Sequence, residues 1–127
     1  MALVKPTITH YNGAGDRSFY KAVWILTTAD HTGIAVAVLE WPDKTWHCTG
    51  TLGAAAATIQ GSALDVDGDF ATLSDGASEA LVVDTALPKC VFQGENPAFV
   101  RPKLTTVGSG ATWVVTLTAL RPTPMRT

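Results

Sequence analysis

Three histidines, two cysteines and a run of alternate aspartates are the residues of this 127-residue chain best suited to chemistry. His10, His31 and His47 show no H-x-x-x-H spacing, and Cys48 and Cys90 no C-x-x-C spacing, so no zinc-type ligand set is expected. His47 precedes Cys48, but neighbouring residues of a strand point to opposite faces. That rules out a dyad and leaves His47 as an exposed strand residue. Asp65, Asp67 and Asp69 alternate like the start of an EF-hand loop, yet Phe70 stands where that loop needs glycine and Gly76 where it needs glutamate. A calcium-binding turn of another kind and a plain polar hairpin turn at Asp67-Gly68 are both open, and the turn is favoured. The sequence contains no G-x-S-x-G elbow and no phosphate-binding G-x-x-x-x-G-K-[ST] loop. Glu40, Glu79 and Glu95 could converge as a glycosidase pair, but nothing in their placement points to it. Neither catalysis nor a cofactor is expected.

Recognition by contact is the alternative. Of Trp24, Trp41, Trp46 and Trp113, Trp46 and Trp113 sit in alternating patterns and belong to a core. Trp41, ahead of Pro42 in a turn, is the expected exposed contact, since tryptophan is enriched in interface hot spots. Asp65, Asp67, Asp69, Asp75, Glu79 and Asp84 form an acidic stretch free of Lys and Arg, which is either a solvated loop region or a polar contact face. Lys5, Arg17 and Lys21 lie toward one end of the chain, and Arg101, Lys103, Arg121 and Arg126 toward the other. The expected partner contacts are Trp41, Asp65, Asp67, Asp69, Arg121 and Arg126.

The elements that must carry these residues have a period of two. From 45 to 52, Trp46, Cys48, Gly50 and Leu52 alternate with Thr45, His47, Thr49 and Thr51, as a half-buried strand requires. Residues 112–120 are rich in β-branched and aromatic residues and read as a long strand, central in its sheet. Further strands are expected over 19–26, 34–39, 57–62, 70–73, 81–83, 90–93 and 98–105. Turn signals separate them, including Asn12-Gly13, Trp41-Pro42-Asp43, Asp67-Gly68, Gly94-Glu95-Asn96-Pro97 and Gly108-Ser109-Gly110. Short strands with regular turns predict a single-domain antiparallel β-sandwich over 1–127, with residues 1–15 and 121–127 as extended arms.

Composition agrees with an assembling protein. Charged residues make up 16% of the chain, against roughly 25% in an average protein, and the mean hydropathy is positive. A formal net charge of −2 gives no electrostatic case for nucleic acid. No apolar run reaches the length of a membrane span, and the first residues lack a signal-peptide pattern, so folding in a cytoplasm is expected. Cys48 and Cys90 form no disulfide framework; two buried thiols are expected, a single bridge being the alternative.

The second half resembles a known family. Thr58-Ile59-Gln60-Gly61-Ser62, a polar turn, Phe70-Ala71-Thr72-Leu73-Ser74-Asp75, Glu95-Asn96-Pro97-Ala98-Phe99-Val100-Arg101-Pro102, Gly108-Ser109-Gly110 and a strand ending at Leu120-Arg121 occur in order. Together, over residues 58–121, they resemble the small cement, or decoration, proteins of tailed-bacteriophage capsids. Relative to that family, the turn at 63–69 is longer and more acidic. The resemblance implies a jelly-roll-like sandwich on the outer capsid surface, with the major capsid protein and copies of itself, as a dimer or trimer, as partners. It implies no cofactor, no direct nucleic acid and no membrane. A carbohydrate-binding module of discoidin type and a phage tail or baseplate component are the rival readings.

Overall fold

A computed structural model describes residues 3–12, 18–38, 41, 43–52, 56–75, 79–83, 89–106 and 110–121. In chain order the strands are β1 (Leu3–Val4), β2 (Thr7–Asn12), β3 (Ser18–Thr27), β4 (Thr32–Gly33), β5 (Val36–Ala37) and β6 (Asp43–Thr51). They continue as β7 (Ala56–Ser62), β8 (Ala71–Thr72), β9 (Val82–Val83), β10 (Lys89–Gln93), β11 (Phe99–Thr106) and β12 (Thr112–Arg121). A 3-10 turn covers Asp67–Asp69.

The strands form two sheets packed face to face. One runs β10-β6-β12-β3-β2; the other runs β1-β4-β11-β7-β8, with β5 also on β11 and β9 also on β7. The pairing follows one rule. β3 pairs with β12, β4 and β5 with β11, β6 with β10, and β7 with β8 and β9. A chain that pairs its first main strand with its last, its second with its next-to-last, and so inward is a long hairpin rolled over itself, the jelly roll. Among the described residues the strand pairings are antiparallel except the two-residue contact of β1 with β4. β12, expected to be central, is the middle strand of its sheet.

Alternation explains the core. Trp113, Val115, Leu117 and Ala119 of β12 point inward, beside Tyr20, Ala22, Trp24 and Leu26 of β3 and Trp46 and Cys48 of β6. Across the interface lie Ala57 and Ile59 of β7 and Val100 and Leu104 of β11. Trp24 stacks on Trp46 with ring centroids 5.6 Å apart and donates its indole N–H to the Ile34 carbonyl at 3.0 Å. Near the end of β6, Gly50 takes φ +96°, and a Cβ there would meet the Thr112 carbonyl oxygen. Only glycine lets β6 lie this close to β12.

Two sequence expectations change. Within the expected arm 1–15, residues 3–4 and 7–12 are strands, β1 on one sheet and β2 on the other. Thr7-Ile8-Thr9 has the β-branched content to extend the ladder of β3 despite the neighbouring proline. The residues after Arg121 lie outside those described. Second, the two thiols differ. Cys90 lies opposite His47 in the β10–β6 register, one place from Cys48, so it points outward while Cys48 points in. Both are free cysteines, and His47 is exposed as expected.

Candidate contact surface

The β7–β8 connection carries the three expected aspartates. It is a hairpin, since Gln60 and Gly61 of β7 face Thr72 and Ala71 of β8, but it does not reverse tightly at Asp67-Gly68. A 3-10 turn forms there instead, closed by the Asp69 N–H to the Val66 carbonyl at 2.9 Å. Residues 63–69 are all exposed, and Leu64 and Val66 present apolar side chains on either side of Asp65.

A buried arginine holds this loop in place. Arg101 on β11 lies opposite Gln60 on β7 and is only 5% exposed. Its Nε donates to Gln60 Oε1 at 3.0 Å, and its Nη1 to Asp67 Oδ1 at 2.7 Å. Its Nη2 reaches the Asp67 carbonyl at 3.5 Å, and the guanidinium lies 4.0 Å over the Phe70 ring. The planar, weakly hydrated guanidinium suits this combination of fork and stack in a way that lysine would not. The hydrogen bond from Arg101 and its positive charge hold the Asp67 carboxyl below its ordinary value. Asp67 therefore has an internal partner; Asp65 and Asp69 on either side face solvent.

The other expected contacts do not join it. Trp41 is 8% exposed rather than a surface platform. Its ring packs against Tyr20 and His10, with centroids 5.9 Å and 6.0 Å away, because the turn that closes its N–H onto the Val38 carbonyl at 2.9 Å folds it inward. Arg121 is the last residue of β12, paired in register with Ser18. Arg126 lies outside the described residues.

A second polar cluster anchors the 94–97 turn. The Trp46 indole N–H donates to Gln93 Oε1 at 2.8 Å, and Gln93 Nε2 donates to the Glu95 carbonyl at 2.6 Å. Lys44, buried on the inner face of β6, donates to Asn96 Oδ1 at 2.6 Å, and its burial lowers the affinity of its amine for a proton. Sequence reasoning missed both Arg101 and Lys44 as organising residues. Alternation of β6 placed Lys44 inward beside Trp46, so that signal was available. Arg101 had no local signal, because Gln60 and Asp67 are distant in sequence. Among the described residues, no group of three or more His, Cys, Asp or Glu is arranged to hold a metal, and no helix is long and apolar enough to cross a membrane.

No protein-family model and no curated protein matches this chain. Its fold is similar to the crystal structure of the SPBc2 prophage-derived protein YomS, with a TM-score of 0.53 at 9% identity. The match covers 94% of this chain and 96% of that one. At this identity the likeness is one of fold, and it extends over nearly the whole sandwich.

Proposed function

We propose that the chain is a structural protein of a tailed bacteriophage that cements the capsid, binding the major capsid protein and further copies of itself on the outer surface of the virion. The observation that carries this reading is the braced 63–69 loop. It presents Leu64 and Val66 on either side of Asp65, with Asp69 beyond, on a support that binding need not order, because Arg101 already holds it. The whole-chain fold likeness to a prophage-derived protein agrees with a phage origin. Cementing needs no catalytic group: a rigid sandwich that bridges subunits adds buried area at each seam, and attachment at several points raises effective affinity.

A tail or baseplate role draws on the same observations. A carbohydrate-binding role loses its main support, because Trp41 is buried and Trp24, Trp46 and Trp113 are fully buried. The test is made on particles. Purified heads should contain the protein in fixed ratio to the shell subunit, and heads lacking it should release DNA at lower temperature. Heads with unchanged heat resistance, or labelled protein found on the tail, would count against the capsid role.

A further inference from the structure

The outer face of the five-stranded sheet is broad, poor in charge and exposed. Ile25 on β3, Phe92 on β10 and Leu120 on β12 are 54%, 53% and 48% exposed, and threonine and valine fill most of the positions between them. Among the described side chains that point outward in this sheet's register, Lys21 and Asp43 carry the only formal charges. Neither has an ion-pair partner among the described residues. Their placement has a symmetry. Lys21 lies on β3 opposite Thr118, and Asp43 lies on β6 opposite Leu120, so the two flank the central strand β12 two residues apart along it.

The geometry points to a second copy of this chain as the occupant of this face, in a two-fold dimer whose axis runs along β12. Such an axis turns one face onto the other and lays β3 of each copy over β6 of its partner. Lys21 then meets the partner's Asp43 and Asp43 the partner's Lys21, the reciprocal contact that an isologous interface requires. The two-residue offset is about 7 Å along the strand, which the flexible four-carbon stem of lysine can span. Sheets pack about 10 Å apart, leaving the apolar side chains room to interdigitate. Five strands of up to ten residues give a face of about 700 Å² per copy, close to the ~800 Å² per partner of a standard interface. Threonine lets the same face stand in water before pairing. The inference rests on the self-association within the proposed function and gives it a surface.

Isolated protein tests it by sedimentation over a range of concentrations. Wild type should dimerise. Lys21→Glu and Asp43→Lys each create two like-charge contacts and should weaken the dimer at least about tenfold. The double variant K21E/D43K should restore it. Thr116 lies on the axis, so Thr116→Cys in a Cys90→Ser background should cross-link as a dimer with a short bis-maleimide. Both charged positions are exposed or half-buried, so thermal melts should show all variants folded. A wild type that stays monomeric, a dimer insensitive to both reversals, or a double variant as weak as the singles would overturn the proposal. Capsid binding is scored separately: binding by a monomer counts against the dimer alone, and a dimer that ignores capsids counts against the cement reading alone.

Discussion

Cys48 is buried on the inner face of β6, diagonal to Trp113 across the β6–β12 ladder. The Trp113 indole N–H is buried without a hydrogen-bond partner among the described residues. Burial pushes the thiol up from 9.0 to about 11, with the Trp113 N–H and the Lys89 charge offsetting part of the effect. The sign of the consequence follows. An unfolded thiol ionises above pH 9.0 while the folded one stays neutral to about 11. Its contribution is therefore full below pH 9 and is lost as the pH rises toward 11, up to about 3 kcal/mol. Cys48→Ala removes this loss. Urea denaturation should show the variant less stable than wild type below pH 9, with the gap closing near pH 11. A gap that stays constant would mean that the thiol does not titrate with unfolding. Tyr20, raised by burial, and Lys44, lowered by it, act in both proteins and cancel in the comparison.

At the scale of elements, the Arg101 cluster ties three pieces of chain together: β11, β7 and the loop after it. Arg101→Met keeps the apolar stem but removes the Gln60 bond and the contact with Phe70. It should cost about 1–3 kcal/mol in a denaturant melt. Hydrogen exchange should quicken over 63–70 and hardly change in β3 or β12. Acid should loosen the same loop in wild type. Because the Asp67 carboxyl is held below 3.8, its contribution is present above that value and lost as the pH falls through the depressed one.

The long strands were legible because β6, β11 and β12 carry clear alternation or dense β-branched residues, and each expected segment lies within two residues of its strand. β1, β2 and β4 were not, since two-residue pairings and a segment beside Pro6 leave too little period to read. The same limit hid the support of the contact loop. The acids of 65–69 were visible as a cluster, but what makes them a shaped surface is a side chain 34 residues away. Trp41 failed for a related reason. Pro42 lies outside the described residues, and the side on which Trp41 lies depends on Tyr20 and His10, both distant from it in sequence.

For the whole molecule, the jelly-roll pairing makes every long ladder depend on distant segments. β12 is paired along its length on both sides, with β3 and with β6, and it supplies Trp113, Val115 and Leu117 to the centre of the core. A chain shortened to end at Thr106 keeps β3 and β6 but loses the strand between them. It should show no cooperative thermal transition and no dispersed amide spectrum. A cooperative melt from that fragment would show that the second sheet folds alone. The pairing of β3 with β12 also sets a timetable in the cell. Residues 18–27 leave the ribosome roughly 90 residues before their partner strand, a delay of about 5–20 s at ordinary rates of synthesis. Through that interval Tyr20, Trp24 and Leu26 have no sheet to enter, so the nascent chain is a natural client for a chaperone that holds apolar segments until translation ends.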